Sequence, residues 1–200
     1  TLGAGLHGRL VAGERTTPDV VAVHRLLAGM RDEGASHVAM EVSSHALAQG
    51  RVDAVAFQVA VFTNLTRDHL DFHGSMEAYG EAKALLFGWP TLEAVVVNLD
   101  DPFGLRLAAG IAPGVRLIGT SARGAARASL RADDVRLVPE GLHFTLAETG
   151  ESHAVASPLL GRFNVENLLA VAGTLRALGW SLAVVAAMLP RLSPVGGRMS

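Results

Sequence analysis

Short apolar runs alternate with segments of helical spacing through the middle of the chain. The apolar runs that predict buried strands are residues 37–42, 56–62, 94–98 and 115–118. A helix predicted from about residue 75 to 87 separates the second run from the third. This alternation predicts an α/β fold, with a mainly parallel sheet flanked by helices. Short alternating segments between glycines predict a small antiparallel hairpin element near 129–157.

Three further helices are predicted outside this central region. Residues 16–19, Thr-Thr-Pro-Asp, combine helix-capping side chains with a proline that the first turn tolerates. Apolar residues at helical spacing follow as far as Met30, and Gly34 ends this helix. Two more helices, at 164–178 and 182–189, precede an exit segment that contains Pro190 and Pro194.

Composition excludes several classes of protein. The chain has 200 residues, of which 50% are hydrophobic and 18% charged, so intrinsic disorder is excluded. A net charge of −2 gives no general attraction for nucleic acid or anionic lipid.

Without cysteine the chain forms no disulfide and no thiolate zinc site. The longest apolar stretch, 182–189, is far shorter than the roughly 20 residues that cross a bilayer. We therefore expect a soluble, cytoplasmic protein.

Polar residues gather where two of the predicted strands end. The first strand closes on Glu41, which begins Glu41-Val-Ser-Ser-His45, and the second runs into Asn64-Leu-Thr-Arg-Asp-His69. In open α/β sheets ligands bind beyond the carboxyl ends of strands. A carboxylate that ends a buried strand needs a cation, although Glu41 alone fits a surface-facing strand end equally well.

Histidines and carboxylates lie close together between residues 68 and 73. The imidazoles of His69 and His73 suit zinc or manganese, and the carboxylates of Asp68 and Asp71 suit magnesium. A metal-dependent hydrolase that uses His69, Asp71 and His73 is one reading. Caps and turn hydrogen bonds before the next helix are the other.

Lys83 is the only lysine among seventeen basic residues, and it falls on the apolar face of the helix predicted at 75–87. Partial burial disfavours the ammonium form, so the neutral amine becomes available to react with carbon dioxide and give a carbamate. A carbamate is an anionic oxygen ligand for magnesium. The alternative is an aliphatic stem that covers apolar surface while its head reaches water.

Two common catalytic signatures are absent. Ser43 and His45 have no glycine-flanked serine elbow, which argues against a serine hydrolase. No glycine-rich phosphate-binding loop occurs in these 200 residues. In the segment before the helix predicted at 164–178, capping accounts for Asn164 but not for Asn167, although an exposed asparagine needs no special role.

The motifs in chain order resemble the Mur ligase family. They are TTPD, MEVSSHALAQGRV, VFTNLTRDHLDFHGSMEAYGEAKALLF, VNLDD, GRFNVENLLA and SPVGGRM. The resemblance runs from about Thr16 to Met199 and is greatest to members that add a diamino acid to UDP-N-acetylmuramoyl-L-alanyl-D-glutamate with ATP in peptidoglycan biosynthesis. Folylpolyglutamate synthetase shares the central fold and is the alternative within this class of ligase.

The resemblance implies a role for individual residues. Lys83 corresponds to a carbamylated lysine, and Glu41, His69 and Lys83 correspond to Mg²⁺ ligands. Five positions correspond to contacts with the muramoyl-dipeptide: Thr16, Thr17, Ser43, Gln49 and Arg51. Asn164, Asn167 and Arg198 correspond to residues on the ATP side. Asp68, Asp71 and His73 receive no direct role and are expected to support the loop.

The resemblance also implies an incomplete enzyme. Residues 1–194 correspond to a central ATP-binding domain, and 195–200 to the start of a linker to a C-terminal domain. The family's phosphate-binding loop is expected before Thr1, so we expect these 200 residues to be inactive alone. Ser200 departs from the pattern, which has glutamate after Gly-Arg-Met. Which diamino acid is added, meso-diaminopimelate, lysine or ornithine, stays open.

Overall fold

The computed structural model describes residues 3–193, which form two compact units. The first unit comprises the chain up to Ala56 together with Arg67–Trp89, and the second comprises Phe57–Thr66 and the chain from Pro90 onward. The prediction for Arg198 and the predicted linker lie outside the described residues. Every helix in the described part of the chain is too short or too polar to cross a membrane.

The first unit contains a two-stranded hairpin and short helices. Its elements are β1 (Ala4–Leu6), β2 (Arg9–Val11), α1 (Val20–Asp32), α2 (Ser44–Ala48), α3 (Leu70–His73) and α4 (Met76–Ala84), the last continued by a 3-10 turn, Leu85–Gly88. The side chain of Asp19 accepts a hydrogen bond from the Ala22 N–H and caps α1, as predicted. Of the predicted apolar face of α1 only Val23 is buried. The antiparallel hairpin of β1 and β2 was not predicted, because the glycine-containing segment 1–15 has no periodic apolar pattern.

The strand predicted at 37–42 is wrong. These residues have no regular secondary structure, and most of them are exposed. An apolar run becomes a strand only where a neighbouring strand supplies hydrogen-bond partners. Among residues 3–193 no strand pairs with this segment.

A mixed six-stranded sheet forms the centre of the second unit. Its strands are β3 (Val59–Phe62), β4 (Ala94–Asn98), β5 (Arg116–Ser121), β6 (Leu130–Val138), β7 (Gly141–Glu148) and β8 (Glu151–Ser157), and they lie in that order. The pairs from β3 to β6 are parallel, and those from β6 to β8 are antiparallel. The predicted mainly parallel sheet with a hairpin element is therefore confirmed, and the hairpin is a three-stranded meander.

Helices cover both faces of the parallel strands. These are α5 (Pro102–Ala109) and α6 (Phe163–Ala177); α7 (Leu182–Met188) packs against β8. Gly173 of α6 lies against Val96, whereas the ring of Phe103 in α5 contacts Phe62, which pairs with Val97. Because successive strand residues face opposite sides, α5 and α6 lie on opposite faces of the sheet. All five residues of β4 are buried as a result.

Arg176 and Glu148 form a partly buried salt bridge in the second unit. Arg176 donates to both carboxylate oxygens of Glu148, from Nε at 3.0 Å and from Nη2 at 2.8 Å. Its hydrogen bond to Glu148 raises the pKa of the Arg176 guanidinium above its usual range. This two-point contact fastens the end of α6 to β7, and paired geometry of this kind is stronger than a single surface ion pair.

A close approach of α5 to β4 requires glycine at position 104. A Cβ built on Gly104 would lie 2.0 Å from the carbonyl oxygen of Asn98. We expect Gly104→Ala to destabilise the protein by about 1–3 kcal/mol, because the obstacle is backbone that cannot move aside. Gly110, the C-cap of the same helix, is the matched control, since its Cβ would lie 3.7 Å from the nearest atom. Urea unfolding measures both changes, and equal losses for the two variants would contradict this account.

Candidate functional site

A buried threonine joins three of the predicted site residues in the first unit. The Thr17 side chain is 1% exposed. Its hydroxyl donates to the Glu41 carbonyl oxygen at 3.0 Å and accepts from the Ser43 N–H at 3.1 Å. The carbonyl oxygen of Thr17 accepts from Arg51 Nη1 at 3.1 Å. The hydroxyl proton of Thr17 is thus engaged within the protein, while Thr16 is half-buried.

Arg51 and Gln49 form a second hydrogen-bonded pair next to Thr17. Arg51 Nη2 donates to Gln49 Oε1, and both side chains follow directly after α2. Ser43 caps α2 by accepting from the Ala46 N–H at 3.2 Å. A guanidinium held at two of its nitrogens presents its remaining N–H groups in a fixed direction, which suits a carboxylate or a phosphate.

Glu41 lies in the exposed segment between α1 and α2. Its predicted place at the end of a buried strand is therefore wrong, and burial gives no reason for a cation there. In the structure the carbonyl oxygen of Glu41 accepts from the Thr17 hydroxyl, and Glu41 is exposed.

Aromatic rings surround the segment that carries His69. The His69 ring lies 4.9 Å from the ring of His45 and 5.8 Å from that of Tyr79, both edge-on. His45 also packs at 4.1 Å against Phe72 and at 5.3 Å against His73. The sequence analysis did not predict this cluster of rings, although residues 69–79 contain two histidines, a phenylalanine and a tyrosine.

His69 adopts a left-handed backbone conformation with φ of 52°. Non-glycine residues in this region are uncommon, and they collect at functional sites. The Asp68 carboxylate accepts from the His69 N–H at 2.8 Å, so Asp68 supports the turn. This agrees with the supporting role expected for Asp68.

His73 is bonded and partly buried between the same rings. Its Nε2 lies 2.9 Å from the hydroxyl of Ser44, and its ring stacks on Tyr79 at 5.2 Å. Burial lowers the pKa of His73, and the neighbouring His45 and His69 lower it further. These surroundings therefore favour the neutral form of the His73 imidazole.

Lys83 lies in α4 one turn after Tyr79, in a helix that ends at Ala84 and not at the predicted residue 87. It is half-buried, and its Nζ lies 5.0 Å from the centre of the Tyr79 ring. Tyr79 itself is buried, and its ring also contacts the imidazoles of His73 and His69. The two side chains predicted to bind magnesium from this part of the chain, His69 and Lys83, thus contact the same ring.

The described residues contain no group of three or more histidine, aspartate or glutamate side chains that could hold a metal ion. The ligand set of His69, Asp71 and His73 that a metal-dependent hydrolase requires is therefore not formed. A site built from Glu41, His69 and Lys83 has another composition, because an ammonium cannot bind a cation. It fits Mg²⁺ only when Lys83 is carbamylated and supplies anionic oxygens.

The second unit holds the two asparagines predicted to lie on the ATP side. Asn164 is within the first turn of α6 and is not its cap; its Nδ2 donates to the Leu160 carbonyl at 2.7 Å. Asn167 Nδ2 donates to Asn164 Oδ1 at 3.1 Å. One turn of helix thus brings both amides together at the surface. Arg123 reaches Glu166 in the same turn, at 3.2 Å.

Comparison with known proteins identifies the family. The family model described as Mur ligase middle domain matches residues 1–175. The chain belongs to the Mur ligase family, within which these residues are the middle domain.

Two curated relatives show how similar the members are. The UDP-N-acetylmuramoyl-L-alanyl-D-glutamate–2,6-diaminopimelate ligase of Xanthomonas oryzae is 60% identical over 200 residues, and that of Xylella fastidiosa is 54% identical. Each match covers 100% of this chain and 40% of the relative. The chain thus spans less than half the length of the relatives it matches.

Solved structures agree on the fold. A structure of a UDP-N-acetylmuramoyl-L-alanyl-D-glutamate–2,6-diaminopimelate ligase superposes with a TM-score of 0.89 at 35% identity, over 99% of this chain and 40% of that one. A MurF from Acinetobacter baumannii superposes with a TM-score of 0.63 at 23% identity, over 72% of this chain and 31% of that one, and shows the shared fold alone.

Replacing Thr17 by valine removes the hydroxyl with almost no change of shape. We expect Thr17→Val to destabilise the protein by about 1–3 kcal/mol, because the Glu41 carbonyl and the Ser43 N–H lose their partner. Thr17→Ser keeps the hydroxyl and is expected to lose less. Urea unfolding compares the variants, and a valine variant as stable as the wild type would show that the hydroxyl contributes nothing to stability.

The lowered pKa of His73 predicts a pH dependence of stability. The unfolded chain takes up a proton near pH 6.5, whereas folded His73 does so only at lower pH. His73 therefore contributes its full stability above about pH 6.5 and loses it as the pH falls through the folded pKa. Unfolding free energies measured between pH 7.5 and 5 should decline less steeply in His73→Gln than in the wild type. An unchanged slope in the variant would assign the decline to other groups.

Proposed function

We propose that this chain is the central domain of a cytoplasmic, ATP-dependent ligase. The complete enzyme adds 2,6-diaminopimelate to UDP-N-acetylmuramoyl-L-alanyl-D-glutamate during peptidoglycan biosynthesis. The observation that carries the proposal is 60% identity, along the whole of this chain, to a relative named for that reaction. The choice of diaminopimelate over lysine or ornithine rests on the names of the relatives.

The proposed reaction has two steps. The D-glutamyl carboxylate attacks the γ-phosphorus of ATP, which forms an acyl-phosphate and releases ADP. The amine of the diamino acid then attacks the acyl carbon, and phosphate leaves as the amide bond forms. The amine loses a proton in this step. Catalysis of such transfers depends on positioning and on stabilising negative charge.

In this proposal the first unit binds the carboxylate substrate. Arg51 supplies directed N–H groups for a carboxylate or phosphate, and Thr17 holds Arg51 and Ser43 in place. Thr16, Ser43 and Gln49 complete the contacts with the muramoyl-dipeptide. Because Thr17 is buried and its hydroxyl proton is engaged, its proposed part is to orient these neighbours.

Three residues would hold Mg²⁺: Glu41, His69 and Lys83. The ion, when bound, neutralises charge on the phosphates of ATP. Lys83 takes part as its carbamate, formed when the neutral amine adds to carbon dioxide and releases a proton. The support for this is a half-buried amine on the face of Tyr79, on a ring that His69 also contacts.

The asparagines of α6 are proposed to contact ATP. Asn164 and Asn167 are linked side by side, and each retains further hydrogen-bonding capacity at the surface. Arg198 is proposed to reach a phosphate of ATP. These contacts belong to the complete enzyme, and the 200 residues alone are proposed to be inactive.

Lys83→Arg tests the carbamate in the complete protein. Arginine keeps the positive charge but forms no carbamate, so we expect the loss of nearly all Mg²⁺-dependent ligation of diaminopimelate. Bicarbonate should raise the activity of the wild type and leave the variant unchanged. Glu81→Gln, at an exposed position on the same helix, is the matched control and should stay active.

Two results would contradict the proposal. Full activity in Lys83→Arg would show that the lysine is a surface residue and not a precursor of a metal ligand. Ligation of lysine or ornithine in preference to diaminopimelate would contradict the proposed amino acid, which a comparison of kcat/KM for the three decides.

A further inference from the structure

The segment Ser43-Ser-His45 contains a histidine that the proposed reaction does not use. His45 has no serine elbow beside it, and the proposed contacts with substrate and metal leave its imidazole without a role. The structure places His45 in α2, where it is half-buried. What this imidazole does therefore has to be read from its contacts within the first unit.

The His45 ring contacts three rings in and beside α3. Its centre lies 4.9 Å from that of His69, 4.1 Å from that of Phe72 and 5.3 Å from that of His73. Ser44, the residue before His45, adds a hydrogen bond at 2.9 Å between its hydroxyl and His73 Nε2. Two consecutive residues of α2 thus bind α3, and both helices belong to the first unit.

The backbone of His69 has an uncommon conformation, which contacts with α3 maintain. His69 precedes α3 with a left-handed φ of 52°, and its side chain forms no hydrogen bond that caps the helix. Its carbonyl oxygen accepts from the N–H groups of Phe72 at 3.2 Å and His73 at 3.0 Å. Conformations of this kind persist only where the surrounding structure enforces them, and they collect at functional sites. The main chain therefore sets the direction in which the His69 side chain leaves the backbone.

The rings of His45 and Tyr79 restrict the rotation of the His69 imidazole. Both meet it edge-on, with interplanar angles of 85° and 90°. Asp68 Oδ1 lies 3.5 Å from His69 Nδ1, which is longer than a normal hydrogen bond, so ring packing is the closer constraint. The His69 side chain is nevertheless 44% exposed. Its imidazole is thus oriented by its neighbours and open to a ligand.

We propose that His45 is a positioning residue for the ligase reaction. Its ring packs against the His69 imidazole and holds it in the orientation in which His69 binds Mg²⁺. Histidines that bind metals are usually oriented by a hydrogen bond to the second ring nitrogen, and loss of that partner weakens metal affinity. Ring packing by His45 has the same effect here. For its link to catalysis this inference rests on the proposed function.

Packing of this kind needs the ring of His45 and not its nitrogens. A phenylalanine at position 45 has a ring of similar size, so it keeps the contacts with His69 and Phe72. Proton transfer or metal binding by His45 itself would instead require an imidazole nitrogen. Substitution by phenylalanine therefore distinguishes packing from either of these roles.

His45→Ala and His45→Phe test the proposal in the complete protein, with bicarbonate present. The alanine variant loses the ring contact with His69, so the Mg²⁺ concentration for half-maximal ligation should rise roughly tenfold. The phenylalanine variant should need nearly the same Mg²⁺ concentration as the wild type. The KM for the muramoyl-dipeptide should change little in both, because Ser43 keeps its hydrogen bonds to Thr17 and Ala46. If the alanine variant does not fold, His45→Gln, which keeps bulk without a ring, replaces it with the same expectation.

Two further measurements do not depend on ligation. Mn²⁺, added in place of Mg²⁺ and followed by electron paramagnetic resonance, should bind His45→Ala roughly tenfold more weakly than the wild type. Nuclear Overhauser contacts between the rings of His69 and Tyr79 report the orientation of the imidazole in selectively labelled protein. These contacts should weaken in His45→Ala and persist in His45→Phe.

His24→Ala is the matched control, because it removes another histidine of the same unit. His24 Nε2 bonds to the Asp53 carbonyl oxygen at 2.9 Å, and its described contacts include none of the rings around His69. Its Mg²⁺ requirement and its Mn²⁺ affinity should equal those of the wild type. Thermal unfolding of every variant checks that each one folds.

The outcomes separate this inference from the proposed function. If the wild type ligates and His45→Ala keeps its Mg²⁺ requirement, the positioning role is wrong and the ligase stands. If His45→Phe is impaired as much as His45→Ala, an imidazole nitrogen is required and ring packing is overturned. If His24→Ala raises the requirement equally, general destabilisation is the cause and the inference fails. If the wild type shows no ATP-dependent ligation, the proposed function fails and the link to catalysis with it, while the contacts between His69 and Tyr79 still show whether His45 orients the ring.

Discussion

Burial of β4 on both faces is the constraint on which the second unit depends. A strand covered by α5 on one side and α6 on the other cannot carry a polar side chain along its length, and its four apolar residues meet this requirement. The backbone groups are satisfied by parallel ladders to β3 and β5. Polar chemistry is therefore confined to the end of the strand, where Asn98, Asp100 and Asp101 reach the neighbouring loops.

The close packing of this sheet also explains where small residues occur. Gly104 lies against the backbone of Asn98, and Gly173 lies against Val96. Glycine at these positions lets each helix approach β4 more closely than any side chain would allow. The same approach that buries the strand also brings the N-terminus of α5 to the exit of β4, where Asp101 caps the helix and accepts from the Leu65 N–H in the loop that follows β3.

The first unit is organised in a different way, because its site residues lie on short helices and in loops. Thr17 orders its neighbours through hydrogen bonds to backbone groups, and Tyr79 does so through contacts with imidazole rings and with Lys83. Few side chains of this region are fully buried, so the directions of its polar groups depend on specific hydrogen bonds. Loss of one hydroxyl at Thr17 consequently affects groups more than twenty residues away in the sequence.

The sequence by itself determined the elements that depend on residues close together in the chain. Strand 94–98 was predicted to the residue, the cap of α1 and the start of α4 were predicted correctly, and the ordered motifs indicated the family. The prediction of a strand at 37–42 failed, because an apolar run alone does not show whether a neighbouring strand pairs with it. Only the tertiary structure decided that Thr17 binds Glu41 and that Asp101 binds Leu65, pairs 24 and 36 residues apart. Periodicity and capping report on neighbours within a few residues, whereas these contacts depend on how distant segments pack.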